Sequence, residues 1–117
     1  SVELEIPAGL IDEGEEPIAA GARELQEETG YEASRWEVIG RAFPNPAFQD
    51  NVCTTVLAHD CEPTGEIDFD PGEDLEVVLV EVAEVVNLVR QGKLRHGVTL
   101  NALFWWFDHD NRIQWPR

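Results

Sequence analysis

The chain has little positive charge. Eight Lys and Arg face 24 Asp and Glu in 117 residues, for a formal net charge of −16. Such a surface repels phosphate backbones and anionic lipid headgroups, which argues against nucleic acid and anionic membranes as partners. Part of the excess charge serves only solubility. Cysteine is also scarce. Cys53 and Cys61 cannot build a disulfide framework, and two free thiols fit a reducing cytoplasm. No apolar run is long enough for a membrane-spanning helix. No internal repeat or low-complexity tract appears, and nothing reads as an interdomain linker. Residues 1–117 therefore read as a single domain, with 43% hydrophobic residues to form a core.

Periodicity supplies a coarse order of elements. Val2–Ile6 alternates and predicts a strand ended by Pro7. A loop from Gly9 leads to a helix over Pro17–Thr29. Pro17 suits the first turn, and Gly30 suits the left-handed position after the last. Strands are expected over Trp36–Phe43, Val52–His59 and Leu75–Val82. Helices are expected over Glu84–Gln91 and Val98–Asp108. Residues 44–51 and 61–74 read as loops. His59, His96 and His109 are scattered and match no ligand spacing.

The first helix carries the chemistry. Glu24, Glu27 and Glu28 fall at i, i+3 and i+4, which places them along one flank. Like charges at that spacing repel and weaken the helix. A cation that neutralises them resolves the conflict, and carboxylate oxygens suit hard ions such as Mg²⁺ or Mn²⁺. Ile18, Ala22 and Leu25 occupy a different face, free to pack on a core. Gly9 and Gly14 suit a tight loop that brings backbone close to a ligand. Arg23 stands beside the carboxylates and can pair with Glu15 to tie loop to helix. The competing reading, for the three glutamates alone, is a solvated acidic helix face.

Spacing over a longer stretch decides between them. Gly9 to Tyr31 reads G-x5-E-x7-R-E-L-x-E-E-x-G-Y. It resembles the Nudix box, the catalytic loop–helix–loop of hydrolases that cleave a diphosphate linked to another moiety. The resemblance implies an α/β (α+β) fold in which a mixed β-sheet is sandwiched between α-helices. It also implies a metal requirement, because an acidic protein and an anionic diphosphate repel each other without a bridging cation. Only eight residues precede Gly9, so the chain is expected to lack the usual N-terminal strands. A missing strand leaves an open sheet edge, which predicts a homodimer or higher homo-oligomer.

Residues beyond the box are similar to the ADP-ribose pyrophosphatase branch. Ile6-Pro-Ala-Gly9 resembles its L-P-A-G entry, and Ala8 matches the residue whose carbonyl ligands a metal there. Pro46, fifteen residues past Tyr31, matches a branch proline, and Asn45-Pro-Ala-Phe48 resembles its S-P-G-F loop. Residues 92–103 resemble its closing helical segment. The resemblance implies that Ala8, Glu24, Glu27 and Glu28 hold Mg²⁺ or Mn²⁺. Gly9, Pro46 and Phe48 would contact substrate, while Arg23 and Glu15 would support the site. Glu73 is the first choice for the base that deprotonates the attacking water. Glu27 or Glu28 is the alternative. The implied reaction takes ADP-ribose to AMP and ribose 5-phosphate. Another nucleotide-sugar, a dinucleoside polyphosphate or a nucleoside triphosphate are alternative substrates. A catalytically weak nucleotide-binding module is the alternative of another class.

Overall fold

The structure is a computed structural model that describes residues 3–43, 52–64 and 76–110. Helix α1 spans Pro17–Thr29, the bounds read from the sequence. Pro17 occupies the first turn, where its missing N–H has no partner to lose. Gly30 ends the helix at φ 75° and donates its N–H to the Gln26 carbonyl. A side chain at that φ is strained, so glycine is the natural stop.

The chain turns at Gly30 directly into strand β1, Tyr31–Ala42, which pairs antiparallel with β2, Cys53–Pro63. The ladder runs from Tyr31 opposite Pro63 to Ala42 opposite Cys53. Thr64 fastens the far end of β2 to the end of α1. Its N–H and hydroxyl both donate to the Gly30 carbonyl, at 2.8 and 2.9 Å, and the hydroxyl accepts from Gln26 Nε2 at 3.0 Å. Helix α2 covers Val82–Arg90, with Glu84 in its first turn and Arg90 in its last, both favourable to the helix dipole. Helix α3 covers Gly97–His109.

The two-residue period of the strands assigns one helix to each face. Gly21 of α1 lies against Val56 and the Trp36 ring, so Trp36, Val38 and Val56 share the α1 face. The register shifts between Val38 and Gly40, a bulge that admits Ile39 as an extra residue. The shift moves Gly40 to the opposite face, where it lies against the Trp105 indole of α3. Cys53 on that same face accepts from Asn101 Nδ2 at 3.6 Å. The sheet is thus sandwiched between α1 and α3, with Ala20, Thr55, Thr99, Ala102 and Leu103 buried between the layers. A methyl at Gly40 would overlap the Trp105 indole itself, so the ring or the strand must shift. Gly40→Ala is therefore expected to cost about 1–3 kcal/mol in urea unfolding, as overpacking does.

Two expected strands differ. Residues 3–6 form no ladder, although Leu4 and Ile6 are half-buried and Glu3 and Glu5 exposed, as a one-sided strand would be. Residues 76–81 also form no ladder, and Val82 opens α2 instead of closing a strand. Among the described residues the sheet is the antiparallel pair β1–β2, set between helices as the fold class requires. Both segments have strand-like sequences, but a strand needs a neighbour for its N–H and C=O groups. The described residues provide none.

The histidines are less scattered than their spacing suggests. Glu37 Oε2 on the α3 face lies 2.9 Å from His109 Nε2 and 3.6 Å from His59 Nε2. Arg35 donates to its other oxygen at 2.8 Å. Cys53 and Cys61 are both free and stand towards opposite ends of β2.

Candidate functional site

Arg23 is the centre of the loop–helix unit. Its Nε and Nη2 donate to the two oxygens of Glu15, each at 3.0 Å. Its Nη1 donates to Glu24 Oε1 at 2.8 Å and reaches Glu27 Oε2 at 3.5 Å. Nη2 also donates to the Leu10 carbonyl at 3.1 Å and lies 3.7 Å from Asp12 Oδ2. This set needs a planar fork with several donors, which arginine has and lysine lacks. One side chain thereby ties the loop that follows Gly9 to two of the three helix carboxylates.

The loop closes on itself through the same residues. Glu15 Oε1 accepts the Asp12 N–H at 3.0 Å, and the Glu15 N–H donates to the Asp12 carbonyl at 2.9 Å. The Arg23 hydrogen bond holds the Glu15 carboxyl below the usual carboxylate range, with the Asp12 N–H adding to it. The Glu15 bond in turn pushes Arg23 further up, so its charge is permanent. A carboxyl lowered in the folded state stabilises the fold above its unfolded pKa. That contribution is lost as pH falls through the folded value. Glu15→Gln should therefore lower Tm at pH 7, and its deficit against wild type should shrink as the pH drops towards about 3. Melting curves of the two proteins over that range check this.

The remaining contacts join the helix to the segment before the loop. Glu28 Oε2 accepts the Ala8 N–H at 3.0 Å. The Glu24 carboxylate lies over Gly9, where a Cβ would overlap it. Glu24 and Glu28 thus both border the Ala8–Gly9 backbone. Glu24 is 18% exposed and Glu27 44%, so Glu27 is the more open of the two to an incoming ligand.

The sequence-based candidates fall into two groups. Ala8, Gly9, Glu15, Arg23, Glu24, Glu27 and Glu28 are brought together. Pro46, Phe48 and Glu73 lie outside the described residues. Sequence reasoning missed Asp12 and the Leu10 carbonyl as partners of Arg23. Asp12 lies three residues before Glu15, a turn spacing that could have suggested it.

Among the described residues, no three carboxylate, imidazole or thiolate groups converge closely enough to enclose a metal. Arg23 acts as the counter-charge to Glu24 and Glu27 instead. The donors nevertheless fit a hard cation. Three carboxylates share a helix flank, and glycine at position 9 leaves the space that the Glu24 carboxylate uses. Glutamate side chains have several rotamers through which such carboxylates can turn towards a ligand.

A family model of the NUDIX domain matches residues 2–103. The chain belongs to the NUDIX family. The loop and helix around Arg23 are the segment that resembles the NUDIX box. The chain is similar to an ADP-ribose pyrophosphatase of Bacillus subtilis, 34% identical over 101 residues that cover 86% of this chain and 55% of the relative. An ADP-ribose pyrophosphatase of Mycobacterium tuberculosis is 33% identical over 82% of this chain and 47% of its own length. The crystal structure of an ADP compounds hydrolase superposes with a TM-score of 0.80 at 28% identity, over 95% of this chain and 61% of the other. That likeness places the helix–sheet–helix layering in the NUDIX fold. The chain spans about half the length of the curated relatives it matches.

Proposed function

We propose that this NUDIX chain hydrolyses the diphosphate bond of a nucleoside diphosphate linked to another moiety. ADP-ribose is the first candidate, with AMP and ribose 5-phosphate as products. The reading is carried by one observation: Glu24 and Glu28 border the Ala8–Gly9 backbone from the helix that also bears Glu27. The names of the two bacterial relatives support the choice of substrate.

Glu24, Glu27, Glu28 and the Ala8 carbonyl would hold Mg²⁺ or Mn²⁺. When bound, the ion supplies charge neutralisation at the diphosphate and a lowered pKa for water. The chain's own residues do the rest. Gly9, without a side chain, lets the Glu24 carboxylate lie against the backbone that would face substrate. Arg23 and Glu15 hold the loop and helix in one geometry, so that little reorganisation is needed as charge develops on phosphorus. Glu73 takes the proton of the attacking water, with Glu27 or Glu28 as the alternative base. Pro46 and Phe48 contact the nucleoside or sugar. Among the described residues neither β1 nor β2 has a second neighbour, and we assign the cover of a sheet edge to a second copy of the chain.

A substrate panel tests the reading. ADP-ribose, a GDP-sugar, a dinucleoside polyphosphate and a nucleoside triphosphate are incubated with Mg²⁺ or with EDTA. Release of AMP from ADP-ribose with Mg²⁺ alone is the expected result. Tight nucleotide binding with no turnover of any substrate would contradict it and favour a binding module.

A further inference from the structure

The segment that carries Ala8 and Gly9 is held at two points. At one end Ala8 donates to Glu28, and Leu10 accepts from Arg23. At the other end lies a separate group of charges on the connection between α2 and α3. Arg95 Nε donates to Glu3 Oε2 at 3.2 Å, and its Nη2 binds Glu3 Oε1. His96 Nε2 lies 3.5 Å from Glu3 Oε2 and 3.2 Å from Glu5 Oε1. Glu3 and Glu5 share a face because side chains alternate along an extended chain. Leu4 and Ile6 are half-buried on the other face.

Between these points, residues 3–8 form no ladder with β1 or β2. With no ladder to the described strands, the segment's path among the described residues rests on its side-chain contacts. Residue 95 follows Leu94, a buried residue that fixes the connection to the core, and His96 is the N-cap of α3. The charges therefore link the segment to a rigid part of the molecule. About 16 Å of extended chain separates Glu3 from Ala8, short enough that fixing one end restricts the other.

We propose that Arg95, with His96, is a positioning residue for the site. It clamps Glu3 and Glu5 and so sets where the Ala8–Gly9 backbone lies against Glu24 and Glu28. The consequence for a metal rests on the reading given above. Neither residue touches the carboxylate cluster, and the effect passes along the extended segment.

The test uses Arg95→Gln, Glu3→Gln and the exchange Glu3→Arg with Arg95→Glu, all in the full chain. The first readout is the amide NMR signals of Ala8 and Gly9. The second is Mn²⁺ affinity without substrate, followed by the EPR signal of free Mn²⁺. Each single variant should shift or broaden both amide signals. It should also weaken Mn²⁺ binding about fivefold, the scale of a surface charge network. The exchange should restore both, which a general loss of folding would not. If Arg95→Gln does not fold, Glu3→Gln carries the test. Unchanged Ala8 and Gly9 signals in the single variants would overturn the clamp. Absence of Mn²⁺ binding by the wild type would instead sink the metal reading, while the amide signals still decide the clamp.

Discussion

Glu27→Gln is expected to lower turnover of the diphosphate substrate by about 10²–10³-fold, a loss on the scale of removing one preorganised charge from a reacting centre. Its carboxylate is the weaker held of the two that Arg23 reaches, at 3.5 Å against 2.8 Å for Glu24. It is also the more exposed, so it is the freer to turn towards a ligand. The amide keeps the side-chain size and is an equally good helix former. It removes one of three like charges at i, i+3 and i+4, a change that relieves repulsion within α1. Stability should therefore hold or rise slightly while turnover collapses. Parallel measurement of kcat and Tm checks this. An activity loss that tracks a fall in Tm would mean that Glu27 serves the fold and not the reaction.

Gly9→Ala should separate folding from function in a second way. The methyl would overlap the Glu24 carboxylate, which is the far end of a flexible side chain. Rotation of that side chain relieves the overlap, so the unfolding free energy should change little. The same rotation carries the carboxylate away from the Ala8–Gly9 backbone and from Arg23. Mn²⁺ affinity should then fall by about 10–100-fold, the range seen when groups around a metal site are misplaced. Gly40→Ala is the natural contrast. There the methyl meets an indole ring rather than the tip of a flexible side chain, so stability should suffer and Mn²⁺ affinity should not. If Gly9→Ala binds Mn²⁺ as tightly as wild type, the position of Glu24 over Gly9 has no role in holding a cation.

Helix α1 was legible from its sequence because its signals are local. Pro17, Gly30 and the glutamate spacing all sit within the element they define. The Arg23–Glu15 pair was legible for the same reason, since the loop between them is short. Strand ends were harder to read. β1 begins at Tyr31, five residues before the expected Trp36, because Glu32, Ser34 and Arg35 look like loop residues. Pairing with residues 59–63 of β2 makes them strand, and that pairing is not written in their own composition. Cys61-Glu-Pro63 has a loop-like composition, yet it pairs with residues 31–33 as strand for the mirror-image reason. Residues 76–81 show the reverse error. Val77 to Val80 have strong strand propensity, yet the described residues supply no neighbour, and Val78 and Leu79 stay exposed. Arg95 could not be found from spacing at all, because its partner Glu3 is 92 positions away.

The central claim is that the acidic flank of α1 and the Ala8–Gly9 backbone together hold a hard dication. Anomalous diffraction from crystals soaked in Mn²⁺ at neutral pH, with a nucleotide ligand present, tests it most directly. The account predicts a peak at direct coordination distance from oxygens of Glu24, Glu27 and Glu28, within reach of the Ala8 carbonyl. Bound nucleotide with no anomalous peak beside that flank would contradict it.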